Sequence, residues 1–112
     1  MRAGNVIGGG DLSKNRLIPD LIRSVINGQQ TVIRNPTSTR PWQHVIDPLL
    51  GYVKLLETML SGASFRAMNF STGEVSLSVS EVAKMASNNW PKIDYVFGNE
   101  ISNPGLTESG SL

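Results

Sequence analysis

The sequence predicts an α/β fold, and three observations carry that reading. Apolar residues recur at helical spacing in three stretches, β-like runs of a few residues separate them, and Gly, Pro, Asn and Ser mark the boundaries. There is no internal repeat. Three helices alternating with three or four short strands describe part of a βαβ system, one whose core this chain covers only in part.

Composition bounds the class. The 112 residues suffice for one small domain. A hydrophobic content of 39% is ordinary for a globular α/β chain and too high for a disordered one. Ten basic against nine acidic residues, without a Lys/Arg cluster, argue against a nucleic-acid or anionic-membrane surface. No apolar run is long enough to span a membrane and no signal-peptide-like start is present, so the expected address is the cytoplasm. The lack of cysteine excludes a disulfide framework and a thiolate zinc site, and one histidine argues against a histidine-built metal centre.

In chain order, Arg2-Ala-Gly-Asn-Val-Ile-Gly8 reads as the end of a strand entering a loop. A complete α/β domain rarely opens there, because a parallel strand needs neighbours on both sides; the chain is expected to be a piece of a larger fold. Residues 2–15 read as a loop centred on Gly8-Gly-Gly-Asp11, serving as a flexible connection or as an anion nest of backbone N–H groups. Leu17, Leu21, Ile22, Val25 and Ile26 mark the buried side of a first helix, with Pro19 tolerated in its first turn and Asn27-Gly28 as a left-handed stop. Thr31-Val-Ile33 is a short strand.

Trp42–Ile46 reads as a second extended run, and Asp47-Pro48 as a helix start. Leu49, Tyr52, Val53, Leu56, Met59 and Leu60 form the stripe expected to face a core, with Gly51 weakening the helix and Ser61-Gly62 ending it. Phe65–Phe70 is strand-like and precedes a turn at Ser71-Thr-Gly73. Ser78-Val-Ser-Glu81 has the pattern of a capping box for a third helix that buries Val79, Val82, Ala83 and Ala86. Lys92–Phe97 reads as a last strand. Residues 1–97 are thus taken as the structured region and 98–112 as a disordered tail.

Chemistry concentrates in Arg34-Asn-Pro-Thr-Ser-Thr-Arg-Pro-Trp-Gln-His-Val-Ile-Asp-Pro48, polar planar groups set between apolar elements. Arg40 could grip a phosphate through two parallel hydrogen bonds, or serve as a solvated or salt-bridged arginine. His44 and Trp42 alternate onto one face of the extended run, and for each a structural role competes with a ligand-facing one. Asn5 and Asn69 stand at strand ends, where asparagine caps turns or binds ligands. No nucleophile-and-base set is visible.

Four motifs in order, Arg2-Ala-Gly-Asn-Val-Ile-Gly-Gly-Gly-Asp11, Arg16-Leu-Ile-Pro-Asp20, Val32-Ile-Arg-Asn-Pro36 and Arg40-Pro-Trp-Gln-His-Val45, resemble the C-terminal half of the CDP-glucose 4,6-dehydratases. These belong to the extended short-chain dehydrogenase/reductase superfamily, and the wider frame is shared with other nucleotide-sugar dehydratases and epimerases. The resemblance runs from Arg2 to about Trp90. It implies a Rossmann-type fold of which this chain is the C-terminal substrate-binding region.

It also implies a parent reaction of deoxysugar and lipopolysaccharide (O-antigen) biosynthesis. NAD takes hydride from C4 of the glucose, water leaves across C5 and C6, and hydride returns to C6. The residues that the resemblance assigns to the nucleotide-sugar are Asn5 (diphosphate or sugar), Arg16 and Leu17 (nucleotide pocket), Val32 and Arg34 (base and ribose), Arg40 (diphosphate clamp) and Asn69. His44 and Trp42 are assigned to support behind them.

The departures matter equally. The dinucleotide fingerprint is missing and so is Tyr-x-x-x-Lys, since Leu56 follows Tyr52 and Asn99 follows Tyr95 at that spacing. Residues 98–112 do not match the family's C-terminal segment. The chain alone, lacking the NAD-binding motif, is therefore expected neither to hold NAD tightly nor to dehydrate CDP-glucose. Its expected partners are a nucleotide-sugar, CDP-glucose first, and either a second copy or a separately encoded N-terminal half. The other readings are a non-catalytic nucleotide-binding or interaction module and a piece of another nucleotide-sugar epimerase or dehydratase.

Overall fold

The computed structural model describes residues 2–71, 73 and 76–98. In chain order its elements begin with β1 (Arg2–Ala3), β2 (Asn5–Ile7), α1 (Leu17–Asn27), β3 (Thr31–Ile33), β4 (Thr39–Arg40) and β5 (Trp42–His44). They continue with α2 (Ile46–Leu60), β6 (Asn69–Phe70), β7 (Leu77–Ser78), α3 (Val79–Asn89) and β8 (Tyr95–Phe97). The α/β character and the three helices are as the sequence predicts. The strands are shorter and more numerous, and they pair two by two. The expected turn at residues 71–73 and the expected tail fall, at residue 72 and from residue 99 on, outside the described residues.

The chain divides into two compact units, interleaved in sequence. The first takes residues up to Gly9 together with Pro41–Ser76; the second takes Gly10–Arg40 and the stretch from Leu77 on.

In the first unit β1 pairs with β6 and β2 with β5, both in parallel. Residues 2–15 are therefore not all loop. Each opening strand is held by a partner far along the chain, a support that local composition cannot reveal. Helix α2 starts at Ile46 rather than at Pro48, and no side chain of its N-cap residue Val45 caps it. Asp47 lies in the first turn instead of before it.

The inward face of α2 is also not the expected one. Pro48 is buried and Gly51, Leu55 and Thr58 are half-buried, whereas Leu49, Tyr52, Val53, Leu56, Met59 and Leu60 are all exposed. This stretch is apolar almost all round, so periodicity alone does not choose the buried side. Phe70 chooses it. A Cβ at Gly51 would overlap the Phe70 ring, which stacks edge-on against Tyr52 at 5.6 Å.

In the second unit β3 and β8 pair in parallel, with Thr31 and Ile33 buried. Helix α1 buries Leu21 and Pro19 and half-buries Leu17 and Val25; Ile22 and Ile26, expected inside, are exposed. Its C-terminus closes as expected on Gly28 at φ 63°, and the Gln29 N–H reaches the Ser24 carbonyl at 2.8 Å. β4 and β7 pair antiparallel and lead into α3, which buries Val82 and Ala83 and half-buries Val79 and Ala86. The capping box is present. The Glu81 N–H donates to the Ser78 hydroxyl at 3.2 Å, and the Ser78 N–H donates to the Glu81 carboxylate at 2.7 Å. The Ser78 N–H first, and then its hydroxyl, hold the Glu81 carboxyl below the usual range.

Two stability measurements follow. At an open helix position Gly→Ala stabilises by about 1 kcal/mol, but Gly51→Ala drives a methyl into a ring held from behind by Tyr52. It is expected to destabilise by ~1–3 kcal/mol in urea unfolding, as overpacking does. Ser78→Ala removes the cap of α3 and is expected to cost about 1 kcal/mol at neutral pH. Because the Glu81 pKa is depressed in the folded state, its share is present above the ordinary glutamate range and lost as pH falls through the folded value. The gap between wild type and Ser78→Ala should therefore narrow in melts taken below about pH 4.

Candidate functional site

In the first unit the site residues sit on the β2·β5 pair. Asn5 lies opposite Trp42, Val6 opposite Gln43 and Ile7 opposite His44. Strand alternation therefore gathers Asn5, Trp42 and His44 on one face. The pair is anchored at both ends, by the Asn5 N–H on the Pro41 carbonyl and by the Val45 N–H on the Ile7 carbonyl, each at 2.9 Å. The approach is close because Gly4 carries no side chain: a Cβ there would lie 2.5 Å from the Pro41 oxygen. Asn5 is half-buried. Asn69, on β6, is exposed and pairs in register with Arg2, so the structure holds it on a different strand pair from Asn5.

His44 has a definite structural partner. Its Nδ1 accepts the Ile46 N–H at 3.2 Å, satisfying one of the orphan donors at the start of α2. Acceptance requires that the proton of the neutral ring sit on Nε2. Trp42 is half-buried beside it.

Gln43 went unremarked in the sequence. It points to the opposite face, is buried, and its Nε2 has no hydrogen-bond partner among the described residues. A donor so placed costs about 1–3 kcal/mol. Its opposite parity to Trp42 and His44 was the one signal that could have separated it from the polar loop.

In the second unit Val32 lies between the buried Thr31 and Ile33 and is 60% exposed. Two residues further on, exposed Arg34 donates from Nη2 to the Asn15 side-chain oxygen at 3.0 Å. Asn15 holds a left-handed φ of 62° and immediately precedes Arg16, at the N-cap of α1, and Leu17, its first residue. One hydrogen bond thus brings Arg34 to the loop that delivers Arg16 and Leu17. Nearby, Asp11 is held below the usual carboxylate range by the Ser13 hydroxyl and then its N–H, with the Arg16 charge adding to them.

Arg40 is different. It is only 9% exposed, sits opposite Leu77 in the β4·β7 pair, and donates from Nη1 to the Thr39 carbonyl at 3.0 Å. Chemically the second unit offers an exposed arginine fork and a nearby arginine for anion recognition, beside an apolar side chain that can lie against a planar ring.

Comparison with known proteins gives first the class of fold. The structure matches the solved chain of MoeE5, in complex with UDP-glucuronic acid and NAD, at a TM-score of 0.60 and 24% identity, covering 88% of this chain and 32% of that one. The chain thus has the α/β, Rossmann-type fold of that protein over the matched part. No family model matches the sequence.

The particular kinship comes from sequence. Over 66 residues the chain is 59% identical to CDP-glucose 4,6-dehydratase of Salmonella typhimurium, a match covering 58% of this chain and 18% of that enzyme. The resemblance carried by the four motifs is therefore real, and the chain spans a small part of the relative's length.

The role of His44 as a helix-capping acceptor can be measured. His44→Ala is expected to lower unfolding stability by about 1 kcal/mol, and His44→Asn, which keeps a short polar acceptor, to restore most of it.

Proposed function

We propose that this chain is the nucleotide-sugar-binding portion of a CDP-glucose 4,6-dehydratase-type enzyme. The observation that carries the reading is the 59% identity over 66 residues with such an enzyme. The placement of Arg34, Asn15 and Arg16 around the start of α1 supports it. In this reading Arg34 and Val32 take the base and ribose, Arg16 and Leu17 line the nucleotide pocket, and Arg40 faces the diphosphate. Asn5 and Asn69 contact the diphosphate or sugar, with Trp42 and His44 holding the strand behind Asn5.

The parent reaction is NAD-dependent conversion of CDP-glucose to its 4-keto-6-deoxy product, in the cytoplasmic synthesis of deoxysugars for lipopolysaccharide. Remote binding of the nucleotide is what positions the sugar for such chemistry. Within these 112 residues there is neither a glycine fingerprint for NAD nor a Tyr-x-x-x-Lys to move a proton. The chain by itself is therefore a binding module without turnover.

Calorimetric titration tests this. CDP-glucose and CDP should bind the folded chain more tightly than UDP or GDP. Arg34→Ala should weaken binding by roughly ten- to a hundredfold, the loss expected of a charge-assisted hydrogen bond. Arg40→Ala should weaken it comparably, judged only if circular dichroism shows the variant folded. No product should form from CDP-glucose and NAD. Absence of heat with any nucleotide from a folded protein, or a clear preference for UDP, would overturn the assignment.

A further inference from the structure

The stretch that delivers Arg16 to α1 is held in place by side chains. Residues 11–15 belong to no helix or strand, and among the described residues no backbone–backbone hydrogen bond ties them to one. Gly10 and Asn15 bracket the stretch at left-handed φ values of 76° and 62°, and every residue from Leu12 to Arg16 is exposed. A segment so built samples many conformations unless something fixes it.

Two arginines fix it. Arg34 grips the end next to Arg16, through the Asn15 side chain. Arg23 grips the other end from α1. Its Nη2 donates to the Leu12 carbonyl at 2.9 Å and to the Ser13 carbonyl at 3.4 Å. Its Nη1 donates to the Asp20 carboxylate, about one turn earlier on the same helix, at 2.6 Å. The planar guanidinium thus sets one nitrogen on its own helix and the other on the loop, a division that a lysine ammonium does not reproduce. A further bond closes the turn there, the Ser13 N–H donating to the Asp11 carboxylate at 2.9 Å. Arg23, Asp20 and the loop all lie in the second unit.

We infer that Arg23 is a positioning residue for nucleotide binding: it clamps the Leu12–Ser13 backbone to α1, so that Arg16 meets the ligand already in place. The inference rests on the nucleotide-sugar reading proposed above and adds to it a residue that acts through Arg16. When a binding-competent conformation is only partly populated, apparent affinity falls by the populated fraction. Freed from Arg23, a loop that keeps its delivering conformation about a tenth of the time would bind about tenfold more weakly. A residue of purely structural importance would instead lower stability and leave the affinity of the folded molecules as it was.

Calorimetry with CDP on the full 112-residue chain, paired with limited trypsin digestion, tests the inference. Arg23→Ala should raise the Kd for CDP about tenfold, with unchanged far-UV circular dichroism. Cleavage after Lys14 and Arg16, both exposed, should quicken in the same variant. Arg23→Lys keeps the charge but not the fork and should stay weaker than wild type; it carries the comparison if Arg23→Ala fails to fold. Arg66→Ala removes an exposed positive charge from the other unit and should bind as wild type does. Arg23→Ala added to Arg16→Ala should weaken binding little further, because no guanidinium is then left to deliver.

Absence of heat from folded wild type would overturn the nucleotide reading, and this inference with it. Binding by wild type with an unchanged Kd in Arg23→Ala would overturn the positioning role alone, even if digestion quickens. Wild-type affinity in Arg23→Lys, full additivity with Arg16→Ala, or an equal loss in Arg66→Ala would each overturn it as well.

Discussion

The first unit depends on the parallel pairing of Asn5–Ile7 with Trp42–His44. Parallel strands cannot be joined by a tight turn, so this pairing has to hold segments more than thirty residues apart in sequence. It does so at close quarters. Gly4 passes the Pro41 carbonyl with no room for a β-carbon, and Gly8 passes the Val45 side chain so closely that a β-carbon would lie 3.0 Å from it. The terminal hydrogen bonds, from the Asn5 N–H to the Pro41 carbonyl and from the Val45 N–H to the Ile7 carbonyl, then fix the register. Everything on that face inherits its position from this register, including Asn5, Trp42 and the His44 ring that starts α2.

How much of this was legible depended on the range of the interaction. Features that rest on neighbours in sequence were read correctly: the Ser78–Glu81 box and the left-handed stop at Gly28. Features that rest on distant partners were misread. Arg2–Gly8 read as a strand end passing into a loop, because glycine and asparagine have low strand preference, and the pairing with β6 and β5 makes two strands of it. Helix α2 was found but turned the wrong way, since two of its sides are apolar and only the Phe70 ring lying on Gly51 decides between them. In Gly51 the sequence showed a weak helix former; the structure shows a contact that any larger residue would obstruct.

The candidate site was legible as a set of residues more than as an arrangement. Local chemistry singled out the arginines, and motif order named the kinship that the 66-residue match bears out. Alternation along the strand placed Trp42 and His44 on one face, as read. The Arg34–Asn15 hydrogen bond, spanning nineteen residues, lay beyond any local pattern. So did the contrast between the two arginines, Arg34 exposed and Arg40 drawn into a strand pair. Gln43 shows the opposite limit: its alternation with Trp42 and His44 was the one sign of burial, and the polar stretch around it hid that sign.

The interleaving of the two units sets an order of assembly during synthesis. The first unit has all of its strands once Phe70 has left the ribosome. The second has its first half made by Arg40, before most of the first, yet must wait for Leu77 to pair β4 and for Tyr95–Phe97 to pair β3. Its first half therefore stays open while the inserted unit closes, and each of the four strand pairings spans a large loop. Such non-local topology slows folding and prolongs the exposure of apolar surface. The growing chain thus closes the unit that holds its first strands before the strands of residues 10–40 have found their partners.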